Sequence, residues 1–476
     1  MTDELFNTVD DNSEVPTKIL EINSKTGLYP LYVTYSLYRR RLQEYIKAKC
    51  VDIETISVQE EQVVWDDIVT DNMFVICNTP MAVGITRRTL FGFRQVEKKA
   101  NIKSEQLIER ARNDMEALLN EIKSVGFWKG NTSKQEMEFN AIIGNPPYQV
   151  TDKGECTSST AIYPLFIELA RSLKPNYVSM ITPSRWMTKQ GRGLSEEWAD
   201  KMLTSNHFKY IRDYLDANDC FPGVEIKGGV CYFLYQEAYT GNCNYVIQQN
   251  GKISVKDCSL NSWGMVIRDQ NADSILRKVS DIEGDSYYVT KSFASIVQAR
   301  HHFDQGTQLS TSWRGYVENE DDKHNIKCFL NKQLISCGYG WVMKSDIPKN
   351  HNAIPMIKIY ISKAYGAGEG FPHQILGVPF LGEKNSVCTD TYLVIRPENG
   401  FSSEEECNNA ISYMKTRFFR YLVSVKKKTQ DAARDVYQFV PLQDFSKPWS
   451  DEELYNKYGL DLFEREYIES MIKPME

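Results

Sequence analysis

From Lys18 to Glu237, short apolar runs alternate with stretches whose apolar positions recur at helical spacing, the pattern of a mostly parallel sheet with helices packed on its faces. The run Lys18–Ile22 predicts a first strand. After Gly27 a helix is expected to open at Pro30, with Leu31, Tyr35 and Tyr38 on one face. Met73–Cys77 predicts the next strand and Ala82–Leu90 its helix, while Ser104–Ser124 reads as one polar, Glu-rich helix of about six turns. Phe139–Ile143 is a further buried strand that runs into Gly144-Asn145-Pro146-Pro147-Tyr148. Ser158 and Ser159 stand where they would cap a helix carrying Ile162, Leu165, Phe166, Leu169 and Leu173 on its apolar face, and Pro175 ends it. Tyr177–Ile181 predicts a strand closed by Thr182-Pro183-Ser184-Arg185-Trp186. Tyr210–Leu215 and Gly229–Tyr235 predict two more, with no helix between them, as in an antiparallel pair at the sheet edge.

Beyond about residue 240 the pattern changes to short, aromatic-rich strand-like runs separated by Gly, Asn and Asp turns, with no helix of similar quality expected before Ser403. The organisation expected is a disordered leader over 1–17, an α/β sheet domain over 18–240, a second mixed α/β domain over 241–447, and a helical tail over 448–476. A chain of 476 residues allows about three domains at roughly 150 residues each, and 42% apolar with 25% charged residues is a globular composition. No apolar run is long enough for a membrane helix, and Asp3, Glu4, Asp10, Asp11 and Glu14 rule out a secretory signal in the first fifteen residues. A cytoplasmic protein with no membrane partner is expected. Eleven cysteines without a C-x-x-C pair and six histidines without ligand spacing give no reason to expect a metal site.

The chemistry centres on Asn145-Pro146-Pro147-Tyr148. An exocyclic aromatic amine is a poor nucleophile because its lone pair is delocalised into the ring. Two acceptors aimed at its hydrogens would gather that density on nitrogen. The Asn145 side-chain carbonyl and the Pro146 main-chain carbonyl, stiffened by two consecutive fixed φ angles, supply such a pair at the carboxyl end of a strand, where doubly wound sheets bind ligands. Tyr148 offers a flat face on which a base can stack. The bland alternative, a turn after a strand, accounts for the tetrapeptide alone but not for its place in the alternation.

Residues from about Lys18 to Glu237 resemble the adenine-N6 DNA methyltransferase domain of Taq-like, type IIG restriction-modification enzymes. The whole chain resembles the C-terminal half of long restriction proteins that fuse this domain to a target-recognition domain. The strongest match is Asn140-Ala-Ile-Ile-Gly-Asn-Pro-Pro-Tyr-Gln149. The resemblance implies a Rossmann-like, seven-stranded methyltransferase sheet over 18–240 and a target-recognition domain over 241–447, with S-adenosylmethionine as methyl donor and double-stranded DNA as partner. It gives Asn145 and Pro146 the amino group of a flipped adenine, with Pro147 in the same catalytic motif, Tyr148 and Phe221 its two stacking faces, and Glu21, Asn23, Gly27 and Asn78 the cofactor. In Glu21-Ile-Asn-Ser-Lys-Thr-Gly27, Lys25 stands where the family has its first glycine, and Asn78 stands where it has an acid for the ribose hydroxyls. Either the cofactor is bound differently in this subgroup, or the chain is a fragment of a longer protein, and a missing N-terminal restriction or helicase portion is then an expected partner.

Net charge is −7, so contact with DNA would rest on local basic clusters. Ile411–Val436 carries seven basic residues against two acidic ones, and Lys358–Gly370 is a strand running into a glycine loop. Lys358, Lys363, Lys426, Lys427 and Lys428 are the candidates for phosphate contacts, with Tyr360 and Tyr365 as candidate base readers. Two rivals remain at this stage. A nuclease would use Glu225-Ile-Lys227 with Asp219, although Glu97-Lys-Lys99 and Glu121-Ile-Lys123 have the same form. A recognition protein that has lost its cofactor would explain the departures at Lys25 and Asn78.

Overall fold

The computed structural model describes residues 17–49, 55–96, 98–151, 159–189, 193–249, 251–366, 370–427 and 430–475. All but Thr17 of the expected leader lies outside the described residues, as does Lys428. The chain forms two compact units, Met1–Val266 and Ile267–Glu476.

In the first unit β1 (Ile19–Ser24) leads through α1 (Leu28–Lys49) and α2 (Val58–Asp71) to β2 (Met73–Cys77), and α3 (Pro80–Phe91) leads to β3 (Asn101–Ser104). Three short helices follow, α4 (Leu107–Asn113), α5 (Met115–Lys123) and α6 (Val125–Lys129), and then β4 (Ala141–Gly144). Next come a small hairpin of β5 (Gln149–Thr151) and β6 (Ser159–Ala161), α7 (Tyr163–Ser172), β7 (Tyr177–Pro183) and α8 (Glu196–Thr204). The unit ends with β8 (Phe208–Tyr214), β9 (Val230–Gln236), β10 (Cys243–Gln249) and β11 (Lys252–Cys258). The sheet order is β11-β10-β8-β9-β7-β4-β1-β2-β3. The run from β3 to β7 is parallel throughout, and β9 is antiparallel to both of its neighbours, β7 and β8.

Alternate residues of the central strands enter different cores. Leu20, Phe74 and Ile142 pack on one side with α7, whereas Ile19, Met73, Ala141 and Ile143 pack on the other with Val33, Leu37 and Ile68 of α1 and α2. Burial on both faces is why these strands read as unbroken apolar runs.

Several expectations need correction. Among the described residues the sheet has nine strands rather than seven, because β10 pairs in parallel with β8 and β11 returns antiparallel to it. The first unit therefore runs to Val266, past the boundary expected at 240. The single helix expected over Ser104–Ser124 is broken at Asp114, where φ is −157° and the side chain caps α5 by accepting from the Ala117 N–H at 2.9 Å. Ser159 does not cap α7. It lies in β6 and donates to Gln149 at 3.1 Å, while Ser158 lies outside the described residues.

Among its described residues the second unit holds two three-stranded sheets. One is β13 (Tyr339–Val342), β12 (Ile326–Phe329) and β16 (Ser386–Cys388); the other is β15 (Phe380–Gly382), β14 (Lys358–Ser362) and β17 (Tyr392–Ile395). Helix α9 (Gln270–Glu283) precedes them, against the expectation of no helix before Ser403. Helices α10 (Glu404–Lys415), α11 (Arg417–Lys426), α12 (Asp451–Lys457) and α13 (Leu462–Met471) follow. The segment expected as a separate tail belongs to this unit, where Glu464 of α13 accepts from Ser274 of α9 at 2.7 Å. Among the described residues no helix is long and apolar enough to cross a membrane.

Candidate active site

The parallel strands β1, β2, β4 and β7 end along one edge of the sheet, and the loops there carry the candidate residues. Gly144, the last residue of β4, pairs with Ile22 so closely that a Cβ would lie 2.7 Å from the Ile22 carbonyl oxygen. Only glycine permits that approach. It draws Asn145-Pro146-Pro147-Tyr148 against the end of β1, where the Asn23 side-chain amide donates to the Asn145 carbonyl oxygen at 3.2 Å. Beyond the tetrapeptide the chain is anchored by the β5–β6 hairpin and by Ile162 N–H donating to the Tyr148 carbonyl at 3.1 Å.

A cavity of about 820 Å³ opens at this edge, and Asn145, Pro146, Pro147, Tyr148 and Phe221 all line it. The expected pair of amine acceptors and the two expected stacking rings are thus brought together from segments more than seventy residues apart. Burial pushes ionisation of the Tyr148 phenol up, and its hydroxyl is buried without a hydrogen-bond partner. Lys25, Tyr163, Arg185 and Lys227 also line the cavity. Of these, Arg185 belongs to the segment closing β7, and its Nε donates to the Lys227 carbonyl at 2.7 Å.

The expected cofactor residues lie on the neighbouring strand ends. Glu21 is 2% exposed, and one of its carboxylate oxygens is buried without a partner. Burial pushes its carboxyl up to about 8, opposed by a hydrogen bond with Ser24. An uncompensated buried acid is costly and suits a cationic ligand group. Gly27 has φ +74°, and a Cβ there would lie 3.0 Å from Thr86 Cα on α3. Asn78 is exposed just past β2, and its carbonyl accepts from the Gln106 side chain at 2.9 Å.

The DNA-contact candidates divide. Lys358 is fully buried and its ammonium donates to the carbonyls of Ala353, Ile354 and Met356 at 3.0, 3.2 and 2.7 Å, so it has no access to phosphate. Tyr360 is likewise buried and shares a hydrogen bond with Ser386, so it cannot read a base. Arg420, counted in the basic run, is fully buried on main-chain carbonyls of Lys415, Thr416, Gln374 and Lys473, and α11 is a core helix rather than a solvated basic face. Lys363, Tyr365 and Lys427 do come together. The Lys427 ammonium donates to the Tyr365 carbonyl at 2.9 Å, Lys363 pairs with Asp390, and Lys426 donates to Gln438 at 2.5 Å. Among the described residues, His301, Asp304 and Asp390 form a group whose ligand-type atoms lie within 4.8 Å of one another. The Lys363 ammonium already neutralises Asp390 there; Glu225 is in no such group among the described residues and lines the Asn145 cavity instead.

Comparison with known proteins bears on the same loop. Residues 71–221 match the Eco57I restriction-modification methylase family. The matched segment contains Asn78, Asn145–Tyr148 and Phe221, and leaves Glu21–Gly27 before it. An uncharacterized adenine-specific methylase of Mycoplasma pneumoniae is 34% identical over 146 residues, which is 30% of this chain and 34% of that protein. The chain thus spans about a third of the length of this curated relative. Among solved structures, the type IIL restriction-modification enzyme MmeI in complex with DNA aligns over 88% of this chain and 60% of its own, at 9% identity and a TM-score of 0.45. A DrdV–DNA complex aligns over 99% and 56%, at 12% identity and a TM-score of 0.43.

Proposed function

We propose that this chain is a site-specific DNA methyltransferase that transfers a methyl group from S-adenosylmethionine to the N6 amino group of an extruded adenine in a restriction-modification system. The observation that carries this reading is the convergence of Asn145, Pro146, Tyr148 and Phe221 on one cavity at the carboxyl edge of a parallel sheet. The match of residues 71–221 to a restriction-modification methylase family supports it. The strand order β3-β2-β1-β4-β7-β9-β8, with β9 antiparallel, is read as the methyltransferase sheet, extended by β10 and β11.

The Asn145 side-chain oxygen and the Pro146 carbonyl accept the two N–H bonds of the adenine amino group, which localises its lone pair toward the donor. Tyr148 and Phe221 hold the base flat and repay part of the unstacking cost of extrusion. S-adenosylmethionine, when bound, supplies an electrophilic methyl on a sulfonium. Glu21, whose buried carboxyl has an unpartnered oxygen, would offer it to that positive charge, Asn78 would meet the ribose hydroxyls, and the Asn23–Gly27 turn would let the main chain approach. Such transfer is direct, with no covalent enzyme intermediate, and the displaced amino proton passes to solvent. In the second unit Lys363, Tyr365, Lys426 and Lys427 are the proposed DNA-facing group, and Lys358 leaves that set.

The test is transfer of tritiated methyl to mixed-sequence duplex DNA, followed by digestion and separation of nucleosides. Label in N6-methyladenine alone is expected, and Asn145→Ala is expected to abolish it while leaving DNA affinity in place. Label in another base overturns the substrate assignment, and absence of label favours the recognition-only reading.

A further inference from the structure

We propose that Arg185, with Lys227 beside it, grips a backbone phosphate of the extruded nucleotide and so holds its base against Asn145. The inference rests on the methyltransferase reading of the cavity and deepens it.

Arg185 follows β7 in the short turn Ser184–Thr188, and that turn is tied to three other strand segments. The Ser184 N–H donates to the Gly229 carbonyl, just before β9, at 3.1 Å, and the Ser184 hydroxyl donates to Asp213 of β8 at 2.6 Å. Asp213 is fully buried, and its other oxygen accepts from Tyr245 of β10 at 2.7 Å. On the far side of Arg185, Trp186 is fully buried and stacks on Phe208 with ring centres 5.3 Å apart. The main chain at Arg185 is thus fixed before a ligand arrives, so little ordering remains to be done on binding.

The side chain is aimed as well. Its stem passes over Gly228, where a Cβ would lie 3.0 Å from the Arg185 Cγ, and its Nε is committed to the Lys227 carbonyl at 2.7 Å. That leaves the outer edge of the guanidinium, two terminal nitrogens with no partner among the described residues. Such an edge presents parallel donors that match two oxygens of a phosphate.

Among the described residues that line the cavity, Lys25, Arg185 and Lys227 are cationic and Glu225 alone is acidic, so the wall favours an anion. At about 820 Å³ the cavity has room for a nucleotide rather than a bare base. The sheet order indicates which anion. Strands β7 and β9 lie on one side of β4, and β1 and β2 on the other. Arg185 and Lys227 therefore stand with Phe221 across the Asn145 loop from Glu21, Gly27 and Asn78, on the side of the base rather than of the cofactor. A phosphate held there positions the nucleotide without reading its sequence.

The test compares deoxyadenosine with deoxyadenosine 3′,5′-bisphosphate, each titrated by calorimetry into the full chain and into Arg185→Met, which keeps an apolar stem over Gly228. The phosphates are expected to strengthen binding to the wild-type chain about tenfold. Arg185→Met is expected to remove most of that gain while leaving the affinities for deoxyadenosine and S-adenosylmethionine unchanged. Lys227→Met, which leaves the orienting carbonyl in place, should remove a smaller part. If Arg185→Met does not fold, Arg185→Lys, which keeps the charge without the fork, makes the same comparison. On mixed-sequence duplex DNA, Arg185→Met should lower kcat/KM about tenfold and flatten the slope of log(kcat/KM) against log salt by about 0.9, the share of one phosphate contact. No gain from the phosphates in the wild-type chain, equal weakening of both probes, or a loss confined to S-adenosylmethionine overturns the proposal. If the wild-type chain transfers no methyl, the methyltransferase reading has failed, and the comparison of the two probes still decides the role of Arg185.

Discussion

Replacing Glu21 by Gln is expected to stabilise the ligand-free chain at neutral pH while weakening its hold on a cationic ligand. Glu21 sits in β1 at 2% exposure with one oxygen unpartnered, and burial pushes its carboxyl from the ordinary 4.5 up to about 8. The folded chain therefore keeps this proton to about pH 8, whereas the unfolded chain releases it near 4.5. The stability contributed by the carboxyl is complete below pH 4.5 and is lost as pH rises toward 8. One pKa unit corresponds to ~1.4 kcal/mol, so by pH 7 the wild-type carboxyl costs roughly 3 kcal/mol that a non-titrating glutamine does not. The assay is urea unfolding of both proteins from pH 5 to 8, where any pH-independent cost of the buried amide cancels in the comparison. The two stability curves should separate in favour of Glu21→Gln by about 1 kcal/mol per pH unit. Calorimetry in the same buffers should show wild-type affinity for S-adenosylmethionine rising with pH and the variant weak throughout. Parallel stability curves would refute the claim that this carboxyl is held protonated by its surroundings.

Two further substitutions test the packing that places the site and the reassignment of a basic residue. Gly144→Ala forces a Cβ to within 2.7 Å of the Ile22 carbonyl oxygen, both atoms being fixed by strand pairing. It should cost about 1–3 kcal/mol in denaturant unfolding, and an unchanged midpoint would contradict the close approach of β1 and β4. Lys358→Met removes the side-chain nitrogen from three carbonyls and should cost about 3 kcal/mol. Burial depresses the Lys358 ammonium from 10.5 to about 7, so its stability contribution is complete above 10.5 and lost as pH falls to 7. The gap between wild type and variant should therefore be wider at pH 10 than at pH 7, and a gap independent of pH would count against the burial.

How much of this was legible in the sequence depended on whether the signal was local. The strands β1, β2 and β4 are buried on both faces and announce themselves as apolar runs, and the tetrapeptide after β4 is contiguous, so the centre of the site could be read directly. Strand β3, Asn101–Ser104, contains a single apolar residue and owes its existence to pairing with β2, which no local pattern encodes. Helix α9 is a different case: Ala272, Ile275, Leu276 and Val279 recur at i, i+3, i+4 and i+7 behind an Asp269 cap, so the spacing carries the signal even though the polar composition hides it. The basic run at Ile411–Val436 misleads because charge alone does not reveal where a side chain ends up. Arg420 and Lys358 serve as buried caps on carbonyl oxygens: Arg420 reaches Gln374 and Lys473, remote in sequence, while Lys358 folds back on Ala353, Ile354 and Met356 just before it, where only the bend of the chain brings the carbonyls together. Arg185 and Lys227 reach the cavity from segments remote from Asn145, as Arg420 reaches Gln374 and Lys473.

The departure at Lys25 bears on how the cofactor turn and the acceptor loop act together. A glycine is needed where the main chain takes positive φ, and in this turn the left-handed positions are Asn23, at φ +67°, and Gly27, at φ +74°. Residue 25 is not among them, so a lysine is tolerated there without strain. Asparagine is one of the few residues that adopts the left-handed conformation readily, and here its side chain also donates to the Asn145 carbonyl at 3.2 Å. One residue thus shapes the turn and ties it to the acceptor loop, and the two roles can be separated. Asn23→Ala loses both and should cost about 1–2 kcal/mol of backbone strain in addition to the bond. Asn23→Gly keeps the turn, and its stability should fall between those of wild type and Asn23→Ala. If the tie positions the loop, Asn23→Gly should still lose methyl transfer about as severely as Asn23→Ala, because the loop is equally untethered in both. Full activity in Asn23→Gly would mean that Asn23 matters only for the turn, and that Asn145 is held by Gly144 and its own prolines alone.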